Sequence, residues 1–326
     1  MRNVLRPFVL LAAALIAALA AAAALAQSEA RVPALIRLVV PFSAGGSNDV
    51  IARAIAPSLA RRLGTTVVVE NRPGAGGVIG ADAVAKSPPD GSALLLTSSS
   101  FLTASATLPR LPFDPLAAFA PVAMVAEGPL LLAVPASAPY RTPADLLAAA
   151  RARPGALTYG TAGVGSVAHL ATELMADAAR VKLLHVPYKG AANALLDLAG
   201  GQVDIMVTNY STVVAQIKAN KIRPLGVTSP QPSPIFPDLP TVASAAPGFA
   251  LDIWVGVFAP AGTPAALVQR LNREINEIAT GPEVRNLLDP DGAQPNAMAP
   301  AAFAARVRDD LAGWKRIATE HRIVAE

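Results

Sequence analysis

The stretch Pro41-Phe42-Ser43-Ala44-Gly45-Gly46-Ser47-Asn48-Asp49 joins a mainly apolar run, residues 36–40, interrupted by Arg37, to a segment in which Val50, Ile51, Ala54, Ile55 and Leu59 recur at helical spacing. A strand passing through a Gly-Gly turn into a helix is the first half of an α/β unit. Gly45 and Gly46 carry no Cβ, so main-chain N–H groups there are free to approach a ligand closely beside the positive end of the helix. One reading is an anion site, and the bland alternative is that the glycines only make the turn. A second turn of the same chemistry, Thr161-Ala162-Gly163-Val164-Gly165-Ser166, stands more than a hundred residues later. Two such turns facing each other would form a clamp.

Outward from the first turn the alternation continues. Residues 67–70 read as a strand, 71–77 as a glycine-rich turn and 78–86 as a helix, and Pro88-Pro89-Asp90-Gly91 is a turn signal before a third strand at 93–97. That strand ends in Thr97-Ser98-Ser99-Ser100, hydroxyls at the carboxyl edge where open α/β sheets bind ligands. Residues 108–121 read as a proline-rich loop. Strands at 122–125 and 130–134, separated by Glu127-Gly128-Pro129, are taken as the first crossing between domains.

A second α/β series follows, beginning at a helix with Thr142 as N-cap and Pro143 at its first position. Strands at 157–160, 183–187, 203–207 and 224–227 alternate with helices at 166–179, 191–198 and 213–220. After a proline-rich segment, 229–248, the strand at 253–258 reads as the return crossing. Helices then start at Thr263-Pro264, Gly281-Pro282 and Ala299-Pro300, the last through Phe303, Val307, Leu311 and Trp314, and are expected to pack on the first domain. Two crossings imply a two-strand hinge and rigid-body closure about a cleft. The expected organisation is therefore residues 27–128 with 253–326 as one lobe and 129–252 as the other.

Composition bounds the function. Arg2 and Arg6 precede an alanine-rich apolar run ending in Ala24-Leu25-Ala26, an A-x-A box, so residues 1–26 read as a cleaved secretory signal peptide rather than a membrane anchor. Removing its two arginines leaves 25 Lys and Arg against 23 Asp and Glu, scattered rather than striped, which excludes a nucleic-acid footprint. The absence of cysteine rules out a disulfide framework, thiol chemistry and a lipid-modified N-terminus. With 5% aromatic residues, a polar pocket is favoured over a stacking one.

Motifs for chemistry mostly fail. Gly74 and Gly76 would need glycine or alanine at 79 for a dinucleotide fingerprint, and Ile79 stands there; no G-K-[ST] follows any glycine loop. No cofactor is expected. His169, His185 and His321 have no metal-ligand spacing. Ser166 and His169 form a possible hydrolytic pair, but the G-x-S-x-G elbow and an orienting third residue are missing, and Ser166 already serves as an N-cap. Asp204 and Glu173 read as structural acids. Lys189, after Tyr188, either stabilises an anion or lies on the surface.

In order along the chain, the first turn, Glu70-Asn71-Arg72-Pro73-Gly74-Ala75-Gly76-Gly77, Leu111-Pro112-Phe113-Asp114-Pro115, Tyr159-Gly160 through Gly163, Gly165, Ser166 and His169, His185-Val186-Pro187-Tyr188-Lys189-Gly190, Gly201-Gln202-Val203-Asp204 and Ala259-Pro260-Ala261-Gly262-Thr263-Pro264 resemble the Bug-type receptors. Those are periplasmic solute-binding proteins of tripartite tricarboxylate transporters. The resemblance implies a type II periplasmic binding protein fold, with two α/β lobes joined by a two-strand hinge. It also implies a small carboxylate as ligand and membrane permease subunits as partners, with no enzymatic activity expected; a hinge-closing receptor works naturally as a monomer. Carried onto this chain, the ligand residues are Phe42, Ser43, Ala44, Gly45 and Gly46 in the first turn and Thr161, Ala162, Gly163, Val164, Gly165, Ser166 and His169 at the second; Ser98 and Ser99 join them as hydroxyls at the carboxyl edge of the third strand, and Thr208 as a position where the family pattern is broken. Thr208 departs from the acid that family members often carry there, which disfavours a ligand ammonium group and favours plain di-, hydroxy- or aromatic carboxylates. A sensor for a signalling partner and a Ser166/His169 hydrolase are the alternative functions.

Overall fold

The computed structural model describes residues 31–188 and 190–325, so the expected signal segment and Lys189 lie outside the described residues. Two α/β lobes are present. In the first, β1 (Leu35–Val40) pairs in parallel with β2 (Thr66–Asn71) and β3 (Ala93–Ser98), and β10 (Asp252–Pro260) runs antiparallel between β3 and β4 (Phe119–Pro129), giving the order β2-β1-β3-β10-β4. Apolar residues cover both faces of this sheet, as a sheet flanked by helices requires.

On one face, α1 (Ser47–Leu63), α8 (Ala265–Ala279) and α9 (Pro282–Leu288) bury Ile51, Ile55, Leu59, Leu267, Leu271, Ile275 and Val284 with Ile36, Leu38 and Leu94. On the other, α2 (Val78–Ala85), α3 (Ser100–Thr107) and α10 (Pro300–Glu320) bury Ala81, Phe101, Phe303, Val307, Leu311 and Trp314 against Val39, Leu95 and Trp254. Gly256 of β10 lets Phe303 lie on the strand, because a Cβ there would overlap the ring. The C-terminal helices thus complete the first lobe.

The second lobe has the sheet β8-β5-β9, from Met206–Thr208, Leu131–Pro135 and Ile222–Val227, and the parallel pair β6 (Thr158–Thr161) with β7 (Leu184–Pro187). A parallel bridge from Tyr159 to Ile205 joins the two. Strand β5 shows the period of two expected of a fully buried strand. Leu132 and Val134 face α4 (Pro143–Ala152) and α5 (Val167–Ala179), while Leu131 and Ala133 face α6 (Ala191–Ala199) and α7 (Tyr210–Lys218).

Three local expectations change. Residues 100–107, unassigned in the sequence reading, form α3: Thr103, Ser105 and Thr107 turn their hydroxyls back onto the carbonyls of Ser100, Phe101 and Thr103. Such back-bonding makes Ser and Thr poor helix formers, and burial of Phe101 and Leu102 overrides that preference. Second, β4 extends from Phe119 to Pro129, so Glu127-Gly128-Pro129 is the paired end of a strand rather than a connector, and the break before β5 falls at Leu130. Third, α1 begins at Ser47, ahead of the helical spacing that starts at Val50, and α7 begins at Tyr210, three residues before the expected start at 213.

Candidate functional site

Between the lobes lies a cavity of about 810 Å³. Its walls are largely strand-to-helix turns. The first turn is held by Asp49, buried in the opening turn of α1: its Oδ2 accepts from the Gly45 amide (2.8 Å) and from Arg53 Nε (3.0 Å), and its Oδ1 accepts from Asn71 Nδ2 (2.9 Å). The same Asn71 group donates to the Phe42 carbonyl at 3.1 Å. Arg53 foremost, then the Gly45 amide, hold the Asp49 carboxyl down to about 2.

The Gly45 amide, expected to face a ligand, is therefore already occupied. Gly45, with φ +83°, is needed for the turn's shape. The first helical bond runs from the Val50 amide to the Gly46 carbonyl at 3.0 Å. The amides of Ser47, Asn48 and Asp49 precede it and have no intrahelical acceptor. Ser47 and Asn48 line the cavity.

The second turn repeats this arrangement with different parts. Gly163 donates to Thr161 Oγ1 (3.2 Å) and Gly165 to His169 Nδ1 (3.2 Å), so both glycine amides are again internal. Ser166 donates its hydroxyl to the Gly163 carbonyl (2.8 Å) and caps α5 by accepting from the His169 amide (3.3 Å). The following amides, those of Val167 and Ala168, open the helix at the cavity wall.

His169 stands behind the turn, stacked on His185 with ring centres 3.8 Å apart, and His185 Nε2 lies 2.7 Å from Thr161 Oγ1. Burial, then the charges of His185 and His321, push the His169 imidazole down to about 3, and burial lowers His185 to about 4. Both rings are neutral at ordinary pH, which leaves His169 Nδ1 free to accept from Gly165. The Ser166 hydroxyl and the His169 ring thus serve the turn and make no nucleophile–base hydrogen bond to each other.

Ser98 and Ser99 close the floor. Ser98 Oγ accepts from Asn48 Nδ2 (3.3 Å) and contacts Ser100 Oγ (2.6 Å), while Ser99 Oγ accepts from the Trp254 amide (2.9 Å), tying β3 to β10. Of the residues expected at a ligand site, Phe42, Gly45, Ser98, Ser99, Ala162, Val164, Gly165, Ser166 and Thr208 line the cavity. Ser43, Ala44, Gly46, Thr161, Gly163 and His169 are outside its lining, the first three exposed, Thr161 and His169 buried and Gly163 half-buried.

Sequence reasoning missed Asn209, Ser211 and Thr212, Thr103 and Thr107 of α3, and Asp291. The strand-to-helix passage from β8 into α7 is the signal that would have found the first three. Asp291 has no such signal: it reaches from the first lobe to accept the Ser211 amide at 2.5 Å. The lobes also meet where Gly165 faces Thr107 and Ala325, and where His321 lies between Glu173 (3.0 Å) and Asp177 (2.7 Å) of α5.

Among the described lining residues, Glu127 and Asp291 are the charged ones, and both are engaged, Glu127 by Asn296 and Arg306. No described lining side chain is cationic. Positive potential in this cavity comes from helix N-termini, each worth about 0.3–1 kcal/mol to an anion when exposed and up to about 2 kcal/mol when partly buried. Among the described residues no group of three or more His, Cys, Asp or Glu side chains is placed to hold a metal ion.

Comparison with known proteins follows the same line. Residues 51–323 match the family described as "Tripartite tricarboxylate transporter family receptor". The chain is 42% identical over 292 residues to a Pseudomonas sp. protein described as "UPF0065 protein in tcbD-tcbE intergenic region", covering 89% of this chain and 87% of that one. It is 38% identical over 288 residues to "Protein BugT" of Bordetella pertussis, covering 87% and 88%. Among solved structures it resembles "R. palustris Rpa4515 with adipate" (TM-score 0.77, 36% identity, 89% and 98% coverage). It also resembles "MatC (Rpa3494) from Rhodopseudomonas palustris with bound malate" (0.73, 32%, 87% and 98%) and the periplasmic binding protein BugD (0.74, 34%, 89% and 98%). A family match over most of the chain, close structural relatives and a cavity rimmed by helix N-termini lead to one assignment: this chain belongs to the tripartite tricarboxylate transporter receptor family and is one of its solute-binding receptors.

Proposed function

We propose that this chain, after removal of residues 1–26, works as a periplasmic monomer that captures a small carboxylate between its lobes and delivers it to the membrane subunits of a tripartite transporter. The observation that carries this reading is the cavity itself: orphan amides of two helix N-termini, one per lobe, meet across a space without a described cationic side chain. Ser47 and Asn48 serve one carboxylate oxygen set, and Val167 and Ala168 the other. The glycines shape the turns that present them. The adipate and malate of the two R. palustris relatives are of the same chemical class.

The lobes divide near residues 128–129 and 252–253, and β4 with β10 forms the hinge. This is supported by their pairing up to Pro129 and Asp252 and by the separate cores on either side. Thr208, buried at the cavity wall, puts no charge at its own position and so favours carboxylates that lack an ammonium group. A thermal-shift screen of unfolded-and-refolded protein against mono-, di- and tricarboxylates, with amino acids and sugars as controls, tests the reading. Saturation at a hundredfold excess over the dissociation constant adds about 2.7 kcal/mol of stability. A shift with one carboxylate class supports the proposal, and shifts with sugars or amines alone contradict it.

A further inference from the structure

Where β4 and β10 leave the five-stranded sheet, three carboxylates converge on one guanidinium. Arg306 of α10 donates from Nε to both Asp310 oxygens (2.9 and 3.1 Å), from one terminal nitrogen to Glu127 Oε2 (3.2 Å) and from the other to the Asp252 main-chain carbonyl (3.5 Å). Glu127 Oε1 also accepts from Asn296 (2.5 Å), and Asp310 Oδ2 from Trp254 Nε1 (2.8 Å). The Asp252 side chain is left out: its Oδ1 is buried and has no hydrogen-bond partner. With all three acids ionised, one guanidinium leaves a formal surplus of two negative charges, and Asp252 is the member without a donor for its buried oxygen.

The charged groups that face Asp252 are Glu127 from β4 and Arg306 from α10, with Asp310 beyond Arg306. Burial first, then the Glu127 charge, push the Asp252 carboxyl up to about 6, while Arg306 pulls it the other way. Glu127 lines the ligand cavity, and Ile253, Trp254 and Val255 carry β10 from Asp252 along its wall. Charge at Asp252 is therefore set in the hinge strands beside a site that receives anions.

We propose that Asp252 is a protonation switch in the crossing strands: taking up a proton in mildly acid surroundings removes a negative charge beside the cavity and strengthens capture of a carboxylate. This rests on the reading of the cavity as a carboxylate site. The direction follows from linkage. A carboxyl whose folded value lies above its unfolded one destabilises the fold while ionised, and that penalty is relieved as pH falls through about 6 toward the ordinary value of 3.8. The isosteric amide mimics the protonated form at every pH.

The experiment is calorimetric titration with adipate as probe, at pH 7.5 and 5.5, on wild type and Asp252→Asn in parallel, so that the ligand's own titration cancels in the ratio. We expect Asp252→Asn to bind about fivefold more tightly at pH 7.5, a coupling of ordinary size for linked sites, and about equally at pH 5.5. A ratio that does not change with pH overturns the switch. Urea denaturation of the same pair reads the switch without ligand: Asp252→Asn is more stable at pH 7.5, the gap narrows as pH falls through about 6 and closes only near 3.8, and parallel pH profiles overturn it. Failure of adipate and other carboxylates to bind at either pH would instead count against the functional reading, with the denaturation profiles still deciding for or against Asp252. Should the variant fail to fold, the wild-type Asp252 carboxyl ¹³C resonance decides, since titration in the ordinary carboxylate range overturns the proposal.

Discussion

Replacing Gly165 with alanine tests both halves of the clamp at once. Gly165 has φ +77°, and a Cβ built there would lie 2.5 Å from Thr107 Oγ1, 3.1 Å from Thr107 Cβ and 3.1 Å from Ala325 Cβ. The left-handed backbone costs an L-residue about 1–2 kcal/mol. Rotating Thr107 does not relieve the overlap, because its Cβ is fixed by the backbone and its hydroxyl is bonded to the Thr103 carbonyl at 2.9 Å. Overpacking adds about 1–3 kcal/mol. Gly155→Ala is the control, since Gly155 has φ +74° with nothing within 4 Å of a built Cβ, and it carries the backbone cost alone. Thr107 and Ala325 belong to the first lobe and Gly165 to the second, so the overlap is relieved in one of two ways. If the lobes stay together, urea denaturation shows Gly165→Ala less stable than Gly155→Ala by about 1–3 kcal/mol. If they part, stability matches the control and carboxylate affinity falls instead by about tenfold or more, 1.4 kcal/mol being a factor of ten. Equal stability together with unchanged affinity would refute the placement of Gly165 at the lobe contact.

Asp49→Ala removes the acceptor of Gly45, Asn71 and Arg53 and should lower stability by about 1–2 kcal/mol at neutral pH, the range of a lost helix-end acceptor. Because its folded carboxyl is lowered to about 2, that contribution is fully present above the ordinary value of 3.8 and is lost as pH falls through about 2, so denaturation midpoints of wild type and variant should converge there. His169→Phe keeps the buried ring and removes the Nδ1 acceptor, leaving the Gly165 amide unpaired at a penalty of about 1–3 kcal/mol. Since the folded imidazole is lowered to about 3, wild type loses stability as pH falls from the unfolded histidine range toward 3, and the variant should lose less of it over pH 7 to 5. Thr208→Asp places a carboxylate in the cavity wall and should weaken carboxylate binding by at least about tenfold through like-charge repulsion, as titration calorimetry would read; unchanged preference would remove Thr208 from the specificity argument.

The alternation of apolar runs with helical periodicities was enough to read the α/β class, most of the order of elements and the packing of C-terminal helices back on the first strands. Those features depend on burial patterns that repeat along the chain. Helix α3 escaped because its Ser and Thr residues satisfy their hydroxyls locally, and only tertiary burial of Phe101 and Leu102 makes it a helix. The turns were legible from their glycines, but the amides that remain free are not the glycines' own. Asp49 occupies Gly45 from four residues on, and His169 occupies Gly165 from the same distance, side-chain contacts that glycine patterning does not encode. Asp291 and the Asp252 cluster are assembled from residues distant in sequence, where no local pattern exists.

The central claim is that main-chain amides of opposed helix N-termini, rather than side-chain cations, hold the ligand's carboxylate. A crystal structure with the best carboxylate from the thermal-shift screen tests it most directly. The account expects carboxylate oxygens within about 3 Å of the amides of Ser47 or Asn48 and of Val167 or Ala168. A ligand whose carboxylate is held by a lysine or arginine side chain, or seated outside the cavity between the lobes, would contradict it.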